Sequence, residues 1–430
     1  MRATLHSLGA RLERTFTEPL APLVRRNMVV ELWASVAYGI FYAAALQYIP
    51  VVLRRLGASS ELLALYTAQT YLGSILTSLS IVLMRRRRPK HVIVLFWVVS
   101  RSLFLLFAFV TDAYWLLVIM AIFWLLESFP SPGYTRIIQV IYPERVRGQI
   151  ISVVRLGIVL AILVATPVAG WALDWVGYRV LFPLAGLTGV IAMWIFNQLQ
   201  VDEGPLPPRE TKSVQSLWQI VRHNRPFAIH LIAFAVYGLG GLIGYPLYAI
   251  VQVDRLQLSY TEIGLLGVAQ SAAWLVGFLI WGRLVDRKGG LPVLSINQLI
   301  SVIIPLSYMW ATDGWMLLPA FIIQGLINAG VDVGLISTCI QLAERDKVVE
   351  YAAVQATVIG VRGIVTPFIG AGLVRLGMAD TYIFALGAGL IFLSWLILLG
   401  VHSPPATPQN LPLRRSLRAR WPLRWRFPRQ

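Results

Sequence analysis

The chain has 430 residues, of which 57% are hydrophobic and 13% charged, with a formal charge of +17. An ordinary soluble domain carries about 25% charged residues, so the composition excludes a water-soluble globule and fits a membrane protein. A single cysteine, Cys339, excludes an intramolecular disulfide and a cysteine-held metal or iron–sulfur centre.

Residues 1–28 are basic and contain no apolar core followed by a small-residue cleavage site, so no removed secretory signal is expected. From there on, apolar stretches long enough to cross a hydrocarbon core of ~30 Å as helices recur. Twelve are expected, at 29–53, 61–84, 91–111, 114–135, 150–174, 179–199, 227–251, 262–281, 291–311, 315–339, 351–374 and 381–400. The alternating pattern of barrel strands is absent, which leaves an all-α integral membrane bundle. Residues 201–226 begin "VDEGPLPPRETKS", a Pro-rich charged connection that divides a bundle over 29–200 from one over 227–400. The tail 401–430 has seven arginines and no acid, interleaved with aromatics, and is expected to lie on anionic lipid.

With the N-terminus placed inside, 29 of the 37 Lys and Arg residues fall in segments on that side, five on the other and three within spans. This is the positive-inside pattern, and it predicts that both termini are cytoplasmic. The basic run "MRRRRPK" at 84–90 therefore reads as a cytoplasmic loop between the second and third spans rather than a nucleic-acid patch.

The chain also contains a repeat. "ERVRGQIISVVRLGIVLAILVATPVAGWALDWVG" from Glu144 aligns with "ERDKVVEYAAVQATVIGVRGIVTPFIGAGLVRLG" from Glu344 at an offset of 200, with Thr166-Pro167 over Thr366-Pro367, Gly170 over Gly370 and Gly177 over Gly377. Within one residue, the same offset pairs "TDAYW" at 111–115 with "TDGW" at 312–315. Two related six-span halves with both termini on one side suit alternating access about a central site.

Between the eighth and ninth spans the chain reads "GRLVDRKGG". Gly282, Asp286, Arg287 and Gly289 match the signature loop of the major facilitator superfamily, which the chain resembles over its whole length; the basic residues that follow in the family are replaced by Gly290 and Leu291. The resemblance implies twelve helices in two pseudo-symmetric six-helix bundles, with spans 1, 4, 7 and 10 lining a central cavity and the loop Asp latching the halves together. In the first half the aligned positions are Ile81, Arg85 and Arg88, so the charge is reversed. Arg85 and Arg86, with their neighbours to Arg88, are then expected to face Glu344, Asp346 or Glu350, while Asp286 faces Arg147 and the start of the fifth span. Of the family's glycine-rich antiporter pattern in the fifth span, only Gly157, Pro167 and Gly170 match. Pro167 and Pro367 are candidate helix kinks, with Gly170 and Gly370 allowing close packing.

Ionisable residues within spans are costly and so become functional candidates. They are Glu31, Arg101, Glu127, Arg155, His230, Asp332 and Arg362. Glu127, ~13 residues into its span, lies near mid-membrane and is the leading proton carrier, with Arg101 and Arg155 as possible partners; the competing reading is a structural ion pair. Asp332 shares a helix face with Asn328 and Gln324, and Arg362 is its expected counter-ion or an anchor for an anionic substrate. Tyr38, Tyr42, Tyr48, Tyr237, Tyr245 and Tyr248 are candidate substrate contacts. The family's usual Arg in the fourth span is absent.

The expected function is secondary transport of a small organic molecule across the plasma membrane, the inner membrane in a bacterium, by a monomer. Export is favoured over metabolite or sugar uptake, and protons are a candidate coupling ion. A non-transporting receptor or assembly factor on the same fold is the alternative from another class. An enzyme, a cofactor, a metal and a nucleic-acid partner are not expected, because no phosphate loop, nucleophile constellation or ligand cluster is present.

Overall fold

A computed structural model of the chain describes residues 19–71, 89–201, 221–344 and 347–401. Among them, eleven helical segments are long and apolar enough to cross a membrane: Pro22–Arg55, Pro89–Ala108, Ala113–Ile141, Glu144–Val176, Tyr178–Phe196, Arg225–Arg255, Tyr260–Lys288, Gly290–Trp310, Gly314–Leu342, Glu350–Arg375 and Asp380–Leu399. A further helix occupies residues 60–71, where the second span is expected. These segments are spans 1 to 12 below, in chain order. The expected loop arginines Arg85 and Arg86, the linker 202–220, the N-terminal residues 1–18 and the basic tail 402–430 lie outside the described residues.

The spans alternate in direction. At one face the start of span 1 meets the end of span 6, where Asn27 Nδ2 donates to the Gln200 carbonyl at 2.9 Å, and the start of span 7 meets the end of span 10, where Asn224 Nδ2 donates to the Leu342 carbonyl at 2.9 Å. We call this the terminal face. At the far face Tyr178 Oη donates to the Val110 carbonyl at 2.8 Å, and Arg255 pairs with Asp380 at 2.7 Å. Trp115, Trp175, Trp310 and Trp315 are exposed at far-face span ends, as expected of amphipathic rings at a membrane–water boundary.

The repeat is visible as matched local chemistry. Asp112 and Asp313, from "TDAYW" and "TDGW", are both helix N-caps: Asp112 Oδ1 accepts from the Tyr114 and Trp115 amides at 2.9 and 3.1 Å, and Asp313 Oδ1 accepts from the Trp315 amide at 2.9 Å. Gly177 and Gly377 both have positive φ, 72° and 82°, where the chain turns from one span into the next.

Several boundaries differ from the sequence reading, span 1 starting at Pro22 rather than 29 and span 5 at Glu144 rather than 150 among them. Span 8 does not end at 281 but runs to Lys288, so the nine-residue loop expected over 282–290 is reduced to a turn at Gly289 (φ 84°), after which span 9 begins at Gly290. Ser259 and Glu262 start span 8 with reciprocal side-chain-to-backbone bonds, and Arg287 and Lys288 in its last turn suit the negative end of the helix dipole, so a long helix is locally well specified. Span 4 likewise continues to Ile141, two residues before span 5 starts at Glu144. Pro167 and Pro367 sit inside helices that remain continuous over Glu144–Val176 and Val348–Arg375.

The buried apolar residues divide unequally. Toward the far face one cluster joins both halves, including Tyr48, Phe104 and Leu173 of the first with Tyr260, Tyr308 and Phe384 of the second. Toward the terminal face each half has its own cluster, one around Met28, Tyr142 and Phe196 and another around Phe227, Tyr351 and Leu398. Among the described residues, the halves therefore share an apolar cluster on one side only.

Candidate functional site

The far-face junction is built from small residues and capped charges. Where Gly170 lies, a Cβ would come 2.4 Å from the Tyr260 carbonyl oxygen and 2.8 Å from Tyr48 Oη, so spans 1, 5 and 8 meet with their backbones nearly touching. Tyr48 Oη donates to the Thr166 carbonyl at 2.8 Å, beside Pro167. One turn further along span 5, the Asp174 carboxylate accepts from the Tyr260 and Thr261 amides at 3.0 and 2.8 Å and from Thr261 Oγ1 at 2.7 Å, capping span 8 from the other half of the molecule. Arg54 makes a forked contact with Asp254, its counterpart at the repeat offset of 200, and Arg55 lies 3.7 Å over the Tyr260 ring while donating to the Leu258 carbonyl at 2.6 Å.

Below this junction a cavity of about 520 Å³ lies between the halves, within the range of roughly 300–1,000 Å³ usual for small-molecule sites. Its described wall includes seven tyrosines, four glutamines, Asn328, Trp124 and, of the seven intramembrane ionisable candidates, Arg362 alone. Tyr42, Tyr237, Tyr245 and Tyr248 line it as expected; Tyr38 and Tyr48 do not. Gln47, Gln252, Gln270, Tyr66, Tyr71 and Tyr308 also line it without having been singled out from the sequence. The signal for the glutamines was present, an uncharged amide in the middle of an apolar stretch, but a search confined to ionisable groups passes over it.

The other intramembrane charges lie outside this wall, each with its own partners. Glu127 Oε1 pairs with Arg101 at 3.2 Å, with side-chain exposures of 12% and 2%. Ser100 Oγ donates to Glu127 Oε2 at 2.8 Å, and Arg101 also donates to the Gly189 carbonyl at 3.2 Å. The guanidinium is 4.8 Å from the Tyr38 ring centroid and 5.3 Å from that of Trp97. The arrangement ties spans 3, 4 and 6 together. Glu31, buried at the terminal end of span 1, accepts from Tyr134 Oη at 2.6 Å and from Tyr142 Oη, and forms no ion pair among the described residues. His230 is fully buried, with Nε2 3.3 Å from Gln355 Oε1 and Nδ1 without a hydrogen-bond partner.

Asp332 is paired with Arg155 at 2.6 Å, not with Arg362 as anticipated. The bond joins span 10 to span 5, and so one half to the other, one helical turn below the cavity residue Asn328. At 47% and 24% exposure the pair is wet, and such pairs contribute about 0–1 kcal/mol. Arg155→Asp or Asp332→Arg alone should therefore leave folding intact and raise thiol-reagent access to a cysteine placed at Asn328, while the combined exchange restores protection; equal labelling in all four proteins would show that the pair gates nothing.

Among the described residues the Asp286 arm of the expected latch is not formed, and the arm from Arg85–Arg88 to Asp346 lies outside them. Asp286 is exposed and makes no hydrogen bond or ion pair with a described residue, while Arg147 donates to the Tyr142 and Gln139 carbonyls of its own half at 3.1 Å. Gly282 lies within the helix, and a Cβ there would meet nothing within 4 Å, so it serves neither a turn nor a close approach. Glu344 bonds to Lys347 at 2.6 Å, which holds its carboxyl below the usual range. The halves are joined near the terminal side by Arg155 and Asp332, deeper in the bundle than the turn.

Comparison with known proteins gives the architecture its place. A model described as "Major Facilitator Superfamily" matches residues 32–312 and 231–429. The chain belongs to the major facilitator superfamily. Members of this superfamily are transporters rather than enzymes, and the chain is accordingly a multi-pass membrane protein of the transporter class. No curated protein matches the sequence. Among solved structures it is similar to a bacterial homolog of the human lysosomal transporter Spinster in an inward-facing, unoccupied conformation, with a TM-score of 0.64 at 14% identity over 90% of this chain and 100% of that one. It is also similar to a point mutant of the nucleoside transporter NupG, with a TM-score of 0.67 at 12% identity over 87% of this chain and 100% of that one. At these identities the likeness concerns the major facilitator fold alone.

Proposed function

We propose that the protein moves a small organic molecule across the membrane by alternating access, through the cavity between its halves. The observation that carries this reading is a mid-membrane cavity of small-molecule size with contacts between the halves on either side of it: the Asp174 and Gly170 junction at the far face, and the Arg155–Asp332 pair toward the terminal face. The one-sided Lys and Arg distribution supports a cytoplasmic terminal face and the plasma membrane, or a bacterial inner membrane, as the site of action. The partial glycine and proline pattern of span 5 favours export, and the protein is proposed to act as a monomer.

For proton coupling, Glu31 has stronger support than Glu127. Glu127 is held by an arginine, whereas Glu31 is a buried carboxyl with two hydroxyl donors and no cationic partner, an environment in which gain of a proton removes an uncompensated charge. Flux of a substrate panel in proteoliposomes, with and without an imposed pH gradient, tests both statements. Gradient-driven flux is expected in the wild type. In Glu31→Gln the gradient dependence should fall at least tenfold while exchange at equal pH persists; a Glu31→Gln protein with unchanged gradient dependence would remove Glu31 from the coupling path.

A further inference from the structure

We propose that the transported molecule is an organic anion, a carboxylate or phosphate carried on a compact aromatic or apolar body, and that Arg362 binds its charge; this rests on the transport reading above. The first observation is a charge inventory. Away from the span ends the chain has three arginines, Arg101, Arg155 and Arg362, and three carboxylates, Glu31, Glu127 and Asp332. Two arginines and two carboxylates are consumed in the pairs Arg101–Glu127 and Arg155–Asp332, and Glu31 is held by two tyrosine hydroxyls on the terminal side of span 1. Among the described residues Arg362 therefore has no carboxylate partner, and the sequence between Tyr71 and Pro89 contains no Asp or Glu. A cation left without a counter-charge in the middle of a bundle is costly unless something anionic enters.

The second observation is that this arginine is positioned rather than loose. It stands ~14 residues into span 11, roughly 20 Å from the start of that helix at 1.5 Å per residue, on the cavity wall. One terminal nitrogen donates to the Phe234 carbonyl, and the guanidinium lies 4.0 Å over the Phe234 ring. Its stem lies where a side chain on residue 238 would be: a Cβ on Gly238 would come 2.1 Å from Arg362 Cδ and 2.4 Å from Nε. Nε is buried without a partner, and among the described residues the second terminal nitrogen makes no hydrogen bond. The N–H groups of that terminal nitrogen are left for an oxyanion, the kind of donor a guanidinium offers to carboxylate and phosphate.

The remaining wall fixes the rest of the molecule. Tyrosines and Trp124 provide flat apolar faces with hydroxyl tips, and Gln270, Gln324 and Asn328 provide amides that donate or accept. Tyrosine-rich walls by themselves also suit an organic cation. Arg362 decides between the two, because a cation would enter a cavity that already holds an uncompensated positive charge and no carboxylate among its described residues.

The test compares three probes that share one hydroxyphenyl group: 4-hydroxyphenylacetate, its neutral amide and tyramine, with phenyl phosphate as a second anion. Binding to the purified full chain is read by thermal stabilisation, and flux by counterflow in proteoliposomes. The two anions are expected to bind at least tenfold more tightly than the amide, with tyramine weakest. Arg362→Gln should erase the preference, Arg362→Lys should keep it with weaker binding, and Gly238→Ala, which displaces the arginine stem, should reduce it. If Arg362→Gln fails to fold, the Lys and Gly238→Ala proteins carry the comparison. Equal treatment of acid, amide and amine, or an anion preference that survives in Arg362→Gln, overturns the assignment while leaving transport standing. Folded protein that neither binds nor moves any of the four overturns the anion assignment, and if a wider panel also shows no flux the transport reading falls with it.

Discussion

Arg101→Ala is expected to destabilise the protein by about 3–5 kcal/mol, the usual consequence of removing one member of a buried pair and leaving the other charged. Glu127 would lose its cation, the Gly189 carbonyl a donor, and the rings of Tyr38 and Trp97 the side chain packed against them. Gly189 sharpens the point, since a Cβ there would sit 2.9 Å from Arg101 Cδ; span 6 approaches span 3 through the stem of this arginine as well as its head. Glu127→Gln should be milder, because the amide oxygen can still accept from Arg101 while the amide nitrogen donates to the Ser100 hydroxyl oxygen. The double variant Arg101→Met with Glu127→Gln should recover much of the loss. Thermal midpoints of the detergent-solubilised proteins measure this. If Arg101→Ala melts with the wild type, the pair is not structural, and Glu127 returns as a proton carrier.

Gly170→Val should have the largest effect on conformation. The added side chain meets backbone on span 8 and the hydroxyl that binds the Thr166 carbonyl, and neither is a flexible tip that can swing aside. Overpacking of this kind costs about 1–3 kcal/mol, applied here to one conformational state. A state in which the far face has separated is relieved of the clash, so the variant should populate it. Cysteines at Asp174 and Thr261, close enough in the wild type for a carboxylate–amide bond of 2.8 Å, should cross-link readily with Gly170 present and several-fold more slowly in Gly170→Val. Undiminished cross-linking would mean that spans 5 and 8 accommodate the valine by sliding and that Gly170 does not set their approach.

Much of the architecture was legible because a membrane reduces folding to a length and a polarity. The repeat could be read too, and its matched residues proved to be those with local tasks: Asp112 and Asp313 as caps, Gly177 and Gly377 at positive φ. Helix ends were less legible. Hydropathy stops at Trp281, but the helix continues to Lys288 because backbone bonding and a favourable last turn do not need apolar side chains. The charged residues were found and the Arg101–Glu127 pair was among the readings, but the partner of Asp332 was not. Asp332 and Arg362 are on adjacent spans of one half, yet Asp332 bonds across to Arg155, a choice set by how the halves meet and carried by no spacing along the chain. Of the seven ionisable candidates, only Arg362 lines the cavity, while three glutamines and three tyrosines that had not been singled out do so as well.

The unequal division of the buried apolar residues has a thermodynamic consequence. Among the described residues, separating the halves at the terminal face breaks a solvated ion pair and leaves both local clusters whole, whereas separating them at the far face splits a single cluster in which Tyr48, Tyr260 and Leu173 are shared. At about 25 cal/mol per Å² of apolar surface wetted, even a few hundred Å² would outweigh the ion pair by several kcal/mol. The empty carrier should therefore rest with its far side shut, and the transition that exposes the cavity there would be the uphill half of the cycle, the step at which a bound molecule or a driving gradient must do its work.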